Sequence, residues 1–208
     1  MIRSSGINEE FFIHTLFFFL FFAEAMGQSD PSFRLLKTIK GDIVSFTVDN
    51  LDNIYTLNSR NQVKKFNING DSVAIYNDVR KFGTATMIDV SNPLKVLLYY
   101  KDFATIVVLD RLLNIRNTID LRLQNILQAK AIGLSYDNKI WVYDELESKL
   151  KKIDEGGQLL LETPDFRLLL GQSPVFQKIF DENKYVYLYD SLKGVFVFTT
   201  TVPTRTIS

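Results

Sequence analysis

Residues 136–157 read YDNKIWVYDELESKLKKIDEGG. An Asp-Asn pair opens the stretch, and both residue types tolerate the unusual dihedrals of tight turns. IWVYD follows, short and rich in β-branched and aromatic side chains, as a strand should be. The polar group ELES turns the chain, LKKID completes a hairpin, and Glu-Gly-Gly turns it again. Turn, strand, turn, strand, turn in so little chain predicts an antiparallel sheet of very short strands.

The phrase returns. LDNIYTLN (51–58), NPLKVLLYYKD (92–102) and DENKYVYLYD (181–190) repeat it, with strand anchors at Ile54, Val96, Ile140 and Tyr185, spaced 42, 44 and 45 residues apart. A second apolar strand end follows each anchor, at Phe66, Leu109, Ile153 and Phe198. A period of this length with several strands per unit is the mark of propeller blades. The fold class expected is therefore all-β, a β-propeller of four-stranded antiparallel blades with about four blades visible. They lie near 43–76, 84–121, 129–162 and 175–199, inside a domain spanning 28–199, with an irregular tail at 200–208. Between Arg111 and Lys130, Leu112, Ile115, Ile119, Leu123 and Ile126 recur near helical spacing. The repeat nevertheless favours a strand at 116–121.

The rhythm D-N-x-I-aromatic-hydrophobic-hydrophobic-D followed by K-x-D-x-x-G resembles the bacterial propellers of the NHL and gluconolactonase-like kind, over roughly residues 33–199. That resemblance implies a six-bladed type of ring and, in the gluconolactonase-like members, inner-strand carboxylates converging on a divalent cation held by oxygen ligands. It says little about activity, because propellers host many unrelated functions. The fourth unit shows three strands before TTTVPTRTIS (199–208), which lacks apolar alternation. Two readings account for this. FRLLKTI (33–39) could close a four-bladed ring by supplying the last strand, or the parent has five or six blades and this chain is truncated at its C-terminus. The second is favoured, four-bladed rings being the rare case.

The N-terminus is of another kind. FFIHTLFFFLFFA (11–23) holds seven of the chain's 17 Phe, and its uninterrupted apolar run, Leu16 to Ala23, is far shorter than the ~20 residues that span a bilayer. Ala25 and Gly27 fit the −3 and −1 positions of a signal-peptidase site. Residues 1–27 are thus expected to be a signal peptide, and the mature protein extracytoplasmic (periplasmic or secreted), with no membrane span after cleavage. An uncleaved membrane anchor and a buried helix are the alternatives.

Chemistry is constrained by what the chain lacks. Cysteine is absent, and His14, the one histidine, lies in the signal segment. The mature chain cannot form a Ser-His-Asp triad, a Cys-His pair or an ordinary zinc site. The formal net charge of +0 gives no electrostatic reason to expect nucleic acid as partner. No catalytic residues and no cofactor are assigned. Candidate binding residues are the aromatics Trp141, Tyr143 and Tyr187, which could stack on a carbohydrate or peptide. Inter-blade core is their plainer reading. A metal site is not expected, and Asp89 and Asp181 are the only inner-strand acids that could serve the alternative, a metal-dependent lactonase or sugar-acid hydrolase. The remaining Asp and Asn recur in register in every unit, as turn formation requires. Lys64-Lys65 and Lys151-Lys152 are expected on solvated hairpin edges. The function expected is a non-enzymatic scaffold that binds a protein or small-molecule (carbohydrate) ligand. A further alternative is an inactive structural fragment of a larger propeller. N-terminal sequencing of extracytoplasmic material should find a first residue at or near Gln28, and an intact Met1 would refute export by cleavage.

Overall fold

The computed structural model describes residues 34–77 and 82–199. The expected signal peptide and the tail at 200–208 lie outside the described residues. The chain divides into two compact units, Met1–Leu36 and Lys37–Ser208, and every strand among the described residues lies in the second.

Among the described residues, fifteen strands form four antiparallel sheets. Blade 1 comprises β1 (Ser45–Val48), β2 (Ile54–Leu57), β3 (Val63–Phe66) and β4 (Ser72–Tyr76). Blade 2 comprises β5 (Ala85–Asn92), β6 (Lys95–Tyr100), β7 (Thr105–Asp110) and β8 (Ile115–Asp120). Blade 3 comprises β9 (Ala129–Leu134), β10 (Ile140–Asp144), β11 (Lys149–Ile153) and β12 (Leu159–Glu162). Blade 4 has three, β13 (Lys178–Glu182), β14 (Tyr185–Asp190) and β15 (Gly194–Thr199). The ambiguous stretch after Arg111 is a strand at Ile115–Asp120, followed by a single 3-10 turn at Leu121–Gln124. One short helix, α1 (Phe166–Leu170), joins blades 3 and 4. Residues 34–39 form no strand, and among the described residues β15 pairs with β14 alone.

The recurring polar phrase is a five-residue hairpin loop with one geometry. In the loop 49–53, the Asp49 N–H donates to the Asn53 carbonyl, the Asp52 N–H donates to the Asp49 carbonyl, and Asp52 takes a left-handed φ of 60°. The same two backbone bonds, with a left-handed fourth residue, recur at 58–62 (Asn61), 67–71 (Gly70), 110–114 (Leu113), 135–139 (Asn138) and 154–158 (Gly157). This is the three-residue hairpin connection in which a type I turn is followed by a left-handed residue. In five of these six loops the first side chain accepts the N–H of the fifth residue, as Asp49 Oδ1 does from Asn53 at 2.9 Å and Asp110 Oδ1 does from Asn114 at 2.9 Å. The first hairpins of blades 2 and 4 depart from the rule, that of blade 2 turning through Pro93-Leu94 between the paired Asn92 and Lys95. The blade 4 loop is the two-residue Asn183-Lys184, with φ of 54° and 73°, the primed turn that suits a tight hairpin.

Strand alternation sends successive side chains to opposite faces, and both faces of each inner blade are apolar. Tyr55, Leu57, Val63 and Tyr76 of blade 1 pack on Val96, Leu98, Val107 and Leu109 of blade 2. The other face of blade 2, including Leu97, Ile106 and Val108, packs on Ile132, Ile140, Val142 and Ile153 of blade 3. Trp141, Tyr143 and Leu150 of blade 3 then meet Val186 and Leu188 of blade 4, with Phe166 of α1 and Phe176 completing the cluster. The anchor of the fourth unit is accordingly Val186, 1% exposed, and not Tyr185, 47% exposed. The inner strands come close: a Cβ on Gly133 would stand 2.9 Å from the Ile179 carbonyl oxygen, so the β9–β13 approach requires glycine there.

The lysine pairs do not sit on solvated edges as expected. Lys65 and Lys151 are buried, because alternation turns one lysine of each pair into an inter-blade face. Lys65 lies 5.2 Å from the Tyr55 ring centroid and donates to the Arg111 carbonyl at 3.2 Å. Lys151 contacts Asp144 at 2.8 Å and Glu147 at 2.9 Å. Burial pulls the Lys151 ammonium down, but the hydrogen bonds to Asp144 and Glu147 outweigh it and the net direction is up. Lys152 rests 4.9 Å from the Trp141 ring centroid and pairs with Asp137 at 2.8 Å.

Asp49 illustrates the energetics of a loop. It accepts from the Leu51 and Asn53 amides and from the buried Tyr55 hydroxyl at 3.0 Å. Burial would raise its carboxyl, yet these bonds and that from the Asn53 side chain hold it below the ordinary value. Asp110 is also lowered, chiefly by Asn114, and Asp190 is lowered because the Val175, Leu192 and Lys193 amides outweigh its burial. A carboxylate with a depressed folded pKa contributes stability above its unfolded pKa and loses it as pH falls through the folded one. Denaturant midpoints should therefore hold steady down to about pH 4 and fall below it. Asp49→Ala should cost about 2–3 kcal/mol, since it also strands the Tyr55 hydroxyl. A chemical-denaturation cycle with Tyr55→Phe should show coupling of about 1 kcal/mol.

Candidate interaction surface at the loop end

Antiparallel connectivity gives the blades two distinct ends. Loops 49–53, 92–95, 135–139 and 182–185 join first to second strands at one end, where the Asn92 side chain donates to the Asn138 side chain at 3.1 Å. The opposite end carries the second-to-third strand loops and all blade-to-blade connections, and there the Asn61 side chain donates to the Gly83 carbonyl at 3.1 Å. This second end has the longer and more varied loops, including 163–177 with α1.

The aromatic candidates do not share one place. Trp141 is 2% exposed and its Nε1 donates to Asp181 Oδ2 at 2.7 Å. Tyr143 is 1% exposed and its hydroxyl donates to the Pro174 carbonyl at 2.8 Å. Burial raises the Tyr143 phenol. Both pack between blades 3 and 4. Tyr187 lies on the opposite face of blade 4, half-buried, with its ring 6.5 Å from that of Tyr185.

The two acids brace blade 3 from either side. Asp89 Oδ1 accepts from the Ser91 amide at 2.7 Å, and Oδ2 accepts from the Leu134 amide at 2.6 Å. Asp181 Oδ2 takes the Ser135 hydroxyl as well as Trp141. Its Oδ1 is buried without a hydrogen-bond partner among the described residues. Both carboxylates thus converge on adjacent residues of one inner strand's end. Among the described residues, no group of three or more His, Cys, Asp or Glu side chains is arranged to hold a metal.

What sequence reasoning missed is a set of exposed apolar side chains at the loop end, the foremost of them more strongly exposed than Leu51, Ile68 and Leu94 of the other end. Leu192 is 91% exposed, Leu168 85% and Leu123 79%. Leu127, Leu146, Leu169 and Phe103 are exposed in neighbouring loops of the same end. The geometry that presents two of them is local. Asp144 Oδ1 accepts from the Leu146 amide at 3.1 Å, and Asp190 Oδ1 accepts from the Leu192 amide at 2.9 Å. Each acid fixes its turn while the leucine side chain is left in solvent. The shared signal was legible: DEL and DSL place Leu two residues after the acid in both loops. Likewise Asp165, which accepts from the Arg167 amide at 2.8 Å, and Gly171, with φ 64°, are the cap and stop of α1.

The charges among these leucines are satisfied locally. Arg122 pairs with Asp120 at 2.7 Å, Arg167 with Asp165 at 2.6 Å, and Lys149 with Glu162 at 2.9 Å. The guanidinium beside each holds the Asp120 and Asp165 carboxyls below their ordinary range. Exposed leucines with neutralised charges form a surface suited to another protein's apolar side chains rather than to an ionic small molecule.

Comparison with known proteins agrees with the geometry. No protein-family model matches the sequence, and no curated protein sequence matches it either. Solved structures do resemble it. The WD40 β-propeller domain of Doa1 gives a TM-score of 0.54 at 12% identity, over 80% of this chain and 53% of that one. A streptogramin B lyase gives 0.52 at 17%, over 80% and 57%. BamB from Moraxella catarrhalis gives 0.51 at 13%, over 74% and 42%. The chain thus spans about half the length of these propellers. Calcium at millimolar concentration should leave the melting temperature unchanged, since only binding to the native state raises it. A rise of several degrees would support the lactonase alternative. On its blade architecture and these likenesses, the chain is a β-propeller.

Proposed function

We propose that this chain is an extracytoplasmic propeller module that binds another protein through its leucine-bearing loop end and catalyses no reaction. The observation that carries the reading is the set of exposed leucines, Leu123, Leu168 and Leu192 foremost, on one end of the blades. Monomeric soluble proteins rarely leave such a concentration in water without use. The propeller fold supports it, since rigid blades hold variable loops in fixed relation, the usual arrangement for recognition. The extracytoplasmic setting rests on the segment 11–27, with its short apolar run and small residues before Gln28.

The test uses photo-crosslinking residues placed singly at Leu168, Leu192 and Leu112 in the full chain expressed in its native host. Leu112 is exposed on the opposite end. Discrete adducts to one protein from Leu168 and Leu192, but not from Leu112, are expected. Equal labelling from all three positions, or none from the loop end, would refute the assignment. Leu192→Asp should weaken capture of the identified partner at least tenfold while leaving the melting temperature within a degree or two, because the side chain packs on nothing.

A further inference from the structure

Among the described residues, the two terminal blades each have one sheet face that no other blade covers, although Lys37, Ile39 and Ile43 line a hollow over part of the blade 1 face and Thr56 there is buried. On blade 1 the cross-strand row Phe46–Thr56–Lys64–Ile75 and the row Val48–Ile54–Phe66 form the face that looks away from blade 2. Phe46 is 69% exposed, and Val48 and Ile75 are also exposed. On blade 4 the rows Lys178–Tyr189–Val195 and Phe180–Tyr187–Val197 form the face that looks away from blade 3. Tyr189, Val195 and Val197 are all exposed.

These faces are the two halves of an interface that the molecule already builds three times. Position for position, Tyr187 and Tyr189 of blade 4 correspond to Trp141 and Tyr143 of blade 3, which are buried by the next blade. Ile54 and Thr56 of blade 1 correspond to Ile140 and Val142, which are buried by the preceding one. The blade 4 front therefore has the chemistry that a blade 1 back receives. The inner strands β5 and β9 pack together, as do β9 and β13, whereas β1 and β13 are not packed in this way. The arc is open.

We infer that the occupant of both faces is a second copy of this chain, two arcs joining front to back twice to close one eight-bladed ring. A second copy offers both required faces. The arc overlays 53% of one propeller chain and 57% of another. Eight blades lies within the ~4–8 found in propellers. A face of four short strands projects to roughly 300 Å², from ~4.8 Å between strands and ~3.3 Å per residue. The four faces in a two-copy ring then cover at least about 1,200 Å², the size of a stable interface. The inference concerns the sheet faces and is independent of what binds the loop end.

The experiment is analytical ultracentrifugation of the full chain, purified as its host processes it. A single species of twice the chain mass is expected. Phe46→Lys and Val197→Lys, one on each face, should each weaken self-association at least 100-fold, because each places an unpaired charge in both junctions. Leu112→Lys should not. Far-UV circular dichroism checks that the variants fold, and amide exchange on the parent dimer supplies a readout without substitution. Amides of β15 should be protected in the dimer and exchange on dilution to monomer. A monomeric parent, open-ended polymers, a different protein seated on the faces, or a dimer indifferent to both lysines would each overturn the inference.

Discussion

A sheet that is apolar on both faces cannot stand alone in water, and every element of this molecule answers to that constraint. Trp141 and Ile140 are neighbours in one strand, yet each is buried by a different blade. The interior is therefore a series of clusters, one per blade junction, instead of a single core. Stability in such an array approximates a sum of unit and nearest-neighbour terms. Polar groups fit the same scheme. Asp89, Asp181, Lys65 and Lys95 all reach from one blade to the backbone or side chains of a neighbouring one, and each would be costly to leave unpaired in a junction.

The parts of this arrangement that depend on near neighbours were legible in the sequence. The Asp and Asn that open each loop bond amides two to four residues away, so the code for the turn is written inside the turn. The blade period followed from counting those turns. The register of blade 4 was less accessible. In YVYLYD (185–190) every position is aromatic or aliphatic up to the last, and alternation cannot be phased when both faces are apolar. Placing the anchor at Tyr185 instead of Val186 was the result. Helix α1 escaped notice because five residues carry no measurable periodicity, although its cap and stop residues were present.

The side-chain chemistry was harder to read for a different reason. Lys65 and Lys151 looked solvated because a lysine in sequence shows only its charge, while the Arg111 carbonyl and the Asp144 carboxylate that accommodate them depend on tertiary placement. Trp141 and Asp181 lie 40 residues apart, yet form one hydrogen bond. Read singly, one suggests a stacking platform and the other a metal ligand. Paired, they hold two blades together. The exposed leucines reverse the case: an isolated Leu in a polar loop is an ordinary sight, and only the common end of the blades makes a surface of them.

The blade-by-blade burial also sets a clock. As the chain is synthesised, the forward face of a blade has no cover until the next blade exists, about 45 residues later. At ~5–20 residues per second that interval is roughly 2–9 s, long compared with the microseconds in which a hairpin forms. Tyr55, Tyr99 and Trp141, each buried at completion, would in turn spend seconds at a bare apolar surface. The glycine at position 133 lets β13 approach β9 closely when that cover arrives. A bulkier residue there would hold β13 away from β9, leaving the forward face of blade 3 less well covered in the finished fold as well as during synthesis.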